Sequence, residues 1–282
     1  VSEKTGIAWT DHTFNPWWGC FKVSPGCKNC YAETLADRYG HDVWGPPATT
    51  QRRTFGAKHW SDPLAWNKAA AAAGERRRVF SGSMCDVFED HPTANAVRPE
   101  LWELIRRTPS LDWQLLTKRP ENIAAMLPPD WGDGYANAWL GTSVEDQERA
   151  DERIPELLKV PARIRFLSCE PLLGPVDLDD YLDSSYGCGG EARSENCEMC
   201  GTRAIGWVIV GGESGAGRRP MELAWLEAIV ADCDLAGVPV FVKQDSAFKS
   251  DQRGRIPDEL WIREFPKTMH TVETPVIPRG GI

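Results

Sequence analysis

The sequence predicts an α/β fold: a partial (β/α) TIM-like barrel of about six to seven parallel strands, interrupted by a small metal-knuckle insertion. Three observations carry this. Short apolar runs alternate with helix-like stretches along most of the 282 residues, as parallel strands joined by crossover helices do. Nearly every apolar run ends in a polar cluster, and a glycine- and proline-rich loop with three cysteines follows the first run. The length suits one barrel domain over residues 1–282, with a cysteine-rich insertion at about 183–204.

The first strand is read near residues 6–13, ahead of the cysteine loop. A helix follows at 32–39, and an alanine-rich one at 63–73 is stopped by Gly74. The run from Arg78 opens the regular alternation. Strands are expected at 113–117, 139–142, 164–168, 207–210 and 238–242, with helices at 98–107, 121–126, 145–158 and 223–236. In a β/α barrel the C-terminal strand ends share one face, where active sites are built. There the sequence places Ser83-Met-Cys-Asp86, Thr117-Lys-Arg119, Gly141-Thr-Ser-Val-Glu145, Ser168-Cys-Glu170, Gly211-Gly-Glu-Ser-Gly215 and Lys243-Gln244. Each alone also reads as a turn or a helix cap.

Cys20, Cys27 and Cys30 form a C-x6-C-x2-C triplet with no obvious fourth thiol nearby. Structural zinc normally closes its tetrahedron with four protein ligands, whereas a four-iron cluster on three cysteines keeps one iron open. Zinc completed by a distant residue and plain buried thiols are the competing readings. Cys188, Cys197 and Cys200 make a second, C-x8-C-x2-C group flanked by glycines. It suits a zinc ion with a fourth ligand from elsewhere, an auxiliary iron-sulfur cluster, or unligated thiols.

Composition excludes other classes. Nine cysteines are an odd count and too few for a disulfide scaffold, and no apolar run reaches membrane-span length. A cytoplasmic protein with reduced thiols and no membrane partner is expected. The formal charge of -9 and a pI near 5.2 argue against broad non-specific nucleic-acid binding and leave room for a local basic groove. Trp17 and Trp18 beside the cysteine loop read either as core or as a platform for a base. His12, His41, His59, His91 and His270 show no ligand spacing.

The runs Phe14-Asn-Pro-Trp-Trp-Gly-Cys20, Ser24-Pro-Gly-Cys-Lys-Asn-Cys-Tyr-Ala-Glu33, Leu116-Thr-Lys-Arg-Pro-Glu-Asn122, Glu170-Pro-Leu-Leu-Gly-Pro175 and Val210-Gly-Gly-Glu-Ser-Gly215 resemble the radical S-adenosylmethionine (SAM) superfamily. More narrowly, they look like its phage-associated three-cysteine-motif family, similar to the spore photoproduct lyase branch. Here the first cysteine gap is longer than the usual three residues. Asn29 stands where an aromatic residue usually precedes the last cysteine, and Tyr31 follows it.

The resemblance implies a 4Fe-4S cluster on Cys20, Cys27 and Cys30, SAM as cofactor, and an electron donor such as flavodoxin or ferredoxin. It implies an isomerase- or lyase-type reaction on a thymine-type base in DNA or a nucleotide, with lesion repair as a variant and a partner modification enzyme nearby. Ser83 and Asp86 would meet the SAM ammonium group, Lys118 or Arg119 its carboxylate, and Thr142, Ser143 and Glu145 its ribose. Gly212 would allow close backbone approach, and Glu213 would face SAM or substrate. Cys85 or Cys169 would return a hydrogen atom to the substrate radical. The other class of reading is a non-catalytic metal-binding module that recruits a partner enzyme.

Overall fold

The computed structural model describes residues 5–182 and 205–267. The insertion with Cys188, Cys197 and Cys200 lies outside the described residues. Seven strands form a single sheet in chain order: β1 (His12–Phe14), β2 (Arg77–Ser81), β3 (Leu111–Thr117), β4 (Ala138–Ser143), β5 (Ile164–Cys169), β6 (Trp207–Gly211) and β7 (Val240–Gln244). Every pair is parallel, and the sheet curls into a half-barrel. The predicted fold class is what the chain adopts.

Seven helices are described, α1 (Tyr31–Arg38), α2 (Ala57–Ala73), α3 (Pro92–Arg106), α4 (Ile123–Met126), α5 (Gln147–Leu158), α6 (Asp179–Leu182) and α7 (Leu223–Ala236); α2 to α7 pack on the sheet's helix-side core, and α1 packs on Met84 and Val43 beside the cysteine loop. None of the described helices is long and apolar enough to cross a membrane.

Strand alternation sorts the side chains into two cores. Val79, Leu115, Leu140, Leu167, Val208 and Val242 face the helices and join Leu101, Ile154 and Leu226 in one continuous cluster. The intervening residues Phe80, Trp139, Phe166, Trp207, Ile209 and Phe241 fill the concave side with Trp9. Trp207 is the hub, with ring centroids 6.0 Å from Trp139 and 5.8 Å from Phe166. Gly141 leaves room for Phe166, whose ring would lie 2.4 Å from an added Cβ. These rings plug the lower part of the half-barrel, so the polar strand ends above them are the open part of the concave face.

Some boundaries differ from the sequence reading for local reasons. Helix α3 begins at Pro92 because His91 caps it, Nδ1 accepting from Thr93 N at 3.0 Å, and proline needs no donor at the first turn. Helix α2 starts at Ala57, ahead of Pro63, where Trp60 packs against the core. Helix α5 starts after Asp146, whose Oδ1 accepts from Arg149 N at 3.0 Å. That leaves Glu145 off the helix with its side chain free to reach elsewhere. Strand β1 is shorter than expected and begins at His12.

Candidate active site

The loop of residues 20–30 lies over the C-terminal strand ends, and three carboxylates from three different strands hold it there. After β4, Glu145 is fully buried and accepts from Ser24 Oγ at 2.8 Å. Gly26 packs directly on this carboxylate, since an added Cβ would sit 2.3 Å from Glu145 Oε1. Lys118 Nζ at 2.9 Å and Arg153 Nη1 at 2.8 Å complete its coordination. Burial pushes the Glu145 pKa up, but Lys118 and Arg153 outweigh it and hold the carboxyl below its ordinary value.

After β6, Glu213 Oε2 accepts from Asn29 Nδ2 at 2.9 Å, and Oε1 from Arg219 Nη2 at 2.6 Å. Arg219 Nη1 in turn donates to Pro25 O at 3.0 Å. The Glu213 carboxyl is likewise held low, because hydrogen bonds from Arg219 and Asn29 outweigh the cost of its partial burial.

After β2, Asp86 accepts four hydrogen bonds: from Thr117 Oγ1 at 2.6 Å, Phe88 N at 3.0 Å, Lys118 N at 3.0 Å and Arg119 Nη1 at 2.7 Å. Arg119 passes the constraint on. Its Nη1 lies 3.6 Å from Cys20 Sγ, Nη2 donates to Phe21 O at 2.8 Å, and its guanidinium covers the Phe21 ring at 4.3 Å.

Beneath the loop, Arg52 and Glu89 form a fully buried bidentate pair, at 2.9 Å from Nε and 2.7 Å from Nη2. Arg52 Nη1 and Nη2 also donate to Val43 O at 3.0 Å and Gly45 O at 2.9 Å. Gly19 has φ +117, and its missing side chain makes room for Val43 O and the Arg52 stem. The approach of the chain to Cys20 is thereby fixed.

Cys20, Cys27 and Cys30 are free thiols, each partly exposed. Burial pushes the Cys20 thiol up to about 12 against the pull of Arg119, and burial raises Cys30 as well. Such thiols give up their protons to a metal centre that supplies compensating positive charge. Among the described residues no three His, Cys, Asp or Glu side chains converge to hold one metal ion. Three thiols on one loop, with N–H and O–H donors beside them, are a donor set that a 4Fe-4S cluster or a zinc ion with a further ligand could use. Arg119 at Cys20 and Ser24 Oγ, 3.7 Å from Cys27 Sγ, are such donors.

The structure places several of the sequence-assigned residues in protein contacts of their own. Asp86 has its carboxylate filled by four protein donors, which leaves no vacancy for an ammonium group. Glu145 is closed off under the loop and does not reach a ribose. Gly212 makes space for the 245–246 backbone and not for a ligand, because an added Cβ would sit 2.4 Å from Ser246 N. Thr142 is buried on the helix side, where Oγ1 donates to Thr117 O at 3.1 Å. Cys169 is fully buried in the sheet–helix core, and Cys85 packs with Trp17 and Ala94. Cys85 Sγ also lies 3.9 Å from Asn15 Oδ1, and burial raises both thiols. Trp17 is core, whereas Trp18 is partly exposed.

Other residues are brought together at the open face. Ser143 pairs in register with Ser168 on β5, and neither hydroxyl makes a hydrogen bond among the described residues. Glu170 and Lys243, at the ends of β5 and β7, form an ion pair across the half-barrel at 2.5 Å. Ser83 Oγ accepts from Asn15 Nδ2 at 2.9 Å, and Ser83 O accepts from the Tyr31 hydroxyl at 2.7 Å. The Glu170–Lys243 pair, Asn15 and Tyr31 escaped the sequence assignment. The alternation of β5 and β7, which puts Ser168, Glu170 and Lys243 on one side, was the signal that could have found the pair.

A parallel half-barrel with a thiol-bearing loop clamped across its strand ends defines the class of protein. The chain belongs to the family described as "Protein of unknown function (DUF5131)", whose model matches residues 4–273. Solved structures of spore photoproduct lyase are similar in shape. One, complexed with dinucleoside spore photoproduct, has 12% identity and a TM-score of 0.46, covering 81% of this chain and 62% of that one. A mutant with bound AdoMet and dinucleoside spore photoproduct has 12% identity and a TM-score of 0.42, covering 57% and 46%. Another mutant has 10% identity and a TM-score of 0.47, covering 80% and 62%. The chain thus spans between 46% and 62% of the length of those structures. No curated protein sequence gives a significant match.

Proposed function

We propose that this chain is a radical SAM enzyme of isomerase or lyase type, acting on a thymine-type base in DNA or a nucleotide. One observation carries the reading: Cys20, Cys27 and Cys30 sit on one loop that Asp86, Glu145 and Glu213 tie to the mouth of a parallel half-barrel. The sequence motifs support the same class. Cys20, Cys27 and Cys30 would hold a 4Fe-4S cluster, which with SAM and one electron would supply radical chemistry.

The chain's own residues then orient and exclude. The aromatic plug around Trp207 closes the floor and would exclude water from that side of the site. Arg119 and Ser24 donate toward the cysteine sulfurs. Ser143, Ser168, Glu170 and Lys243 are the polar groups left on the concave face for SAM and substrate. Rearrangement or bond-forming modification of the base is the favoured outcome, and lesion cleavage uses the same groups. We place the whole of residues 1–282 in one barrel domain, with a second metal on Cys188, Cys197 and Cys200, and with a flavodoxin- or ferredoxin-type donor in the cytoplasm.

Anaerobic reconstitution with iron and sulfide tests the reading. A charge-transfer chromophore and 5′-deoxyadenosine formation with SAM and dithionite are expected, and both should vanish in Cys20→Ala, Cys27→Ala and Cys30→Ala. Binding of zinc alone without SAM cleavage would overturn it in favour of a recruitment module.

A further inference from the structure

Beside the cysteine loop runs a groove of about 600 Å³ with no carboxylate among the described residues that line it, on a chain whose formal charge is -9. Arg53 lines it. The guanidinium lies 5.1 Å from the Trp18 ring centroid and 5.1 Å from that of Phe55, and among the described residues it makes no ion pair or side-chain hydrogen bond. Backbone bonds with Trp18 in both directions, at 2.9 and 3.0 Å, fix the base of the side chain. An arginine held beside two rings, which stand 76° apart, with its N–H fork unused among the described residues, is prepared for a bidentate anion. Tyr39, 62% exposed, and Tyr31, 54% exposed, offer open ring faces in the same groove. Tyr31 follows Cys30 directly, so the groove reaches the third cysteine.

We propose that this groove binds a nucleotide, with its phosphate on Arg53 and its base stacked on Tyr39. The inference rests on the nucleotide-type substrate proposed above and assigns that substrate its route to the centre. A groove with an arginine and no carboxylate among its described lining residues is where an acidic chain can accept a phosphate without general affinity for polyanions. The source of the nucleotide is either a single strand or a free monophosphate.

The test uses the full-length protein and a fluorescein-labelled single-stranded oligothymidylate of about eight nucleotides, with thymidine 5′-monophosphate as competitor. Arg53→Ala is expected to weaken binding about tenfold or more and to lower the salt slope by about 0.7, with Arg53→Lys in between. Tyr39→Ala is expected to cost about tenfold. Arg106→Ala, at an exposed ion pair on α3, should match wild type. Competition by the monophosphate at similar concentrations assigns a free nucleotide, and strong preference for the oligomer assigns a strand. Absence of wild-type binding to both probes, or binding insensitive to Arg53, overturns the proposal. Binding needs no SAM turnover, so Arg53-dependent binding without 5′-deoxyadenosine formation would fail the enzyme reading alone. SAM cleavage with Arg53-independent binding would fail this inference alone.

Discussion

Asp86 and Arg119 form a buried ion pair at 2.7 Å, and the same arginine nitrogen lies 3.6 Å from Cys20 Sγ. The carboxylate at the end of β2 therefore acts on the cysteine loop through Arg119. Asp86→Asn is expected to cost about 3–5 kcal/mol, because it leaves Arg119 charged and unpaired in a site that excludes water. A urea midpoint measures the loss, and the iron retained after reconstitution should fall with it. A variant of wild-type stability that loses only SAM affinity would restore the direct ligand role.

Glu145 carries a pH signature. Burial raises its pKa and the pull of Lys118 and Arg153 lowers it further than burial raises it, so the folded value lies below the unfolded one of about 4.3. Its contribution is present in full above about pH 4.3 and is lost as pH falls through the folded value. Urea unfolding followed from pH 7 to pH 3 should show stability dropping at the acid end. Glu145→Gln should be less stable at pH 7 and lose less on acidification.

Cys169→Ala and Cys85→Ala are expected to keep product formation, since both thiols are walled into packed cores. Each should lose about 1 kcal/mol of stability, the ordinary cost of a small core truncation. Turnover assays on the reconstituted variants check this. Abolished product with intact SAM cleavage in either one would return that thiol to the role of hydrogen donor.

Arg52→Met is expected to destabilise by about 3–5 kcal/mol, because Glu89 is left as a buried charge without its partner. Adding Glu89→Leu should recover much of that loss, and chemical denaturation of the two variants compares them directly.

The architecture was legible because its signals are local: apolar runs of strand length, glycines at helix ends and polar residues after each run. Residues 74 and 237 end α2 and α7 as left-handed glycines, with φ near 67 for both. Side-chain roles were less legible because the partners are distant in the chain. Ser24 meets Glu145 and Asn29 meets Glu213 across separations of 121 and 184 residues. Nothing near Glu145 in the sequence announces a serine from the cysteine loop. Cys169 is a different failure. Phe166 and Ser168 face inward, so the strand period alone puts the next residue on the helix side.

The charges that hold the 20–30 loop all come from the polypeptide, on strands that are themselves part of the folded sheet. The thiols therefore stand on a template that exists before any iron arrives. On the proposed function, insertion of a cluster would be a late step of maturation, carried out on a finished barrel. Oxygen that stripped such a cluster would leave the scaffold in place for refilling, where a metal-dependent fold would collapse and be degraded.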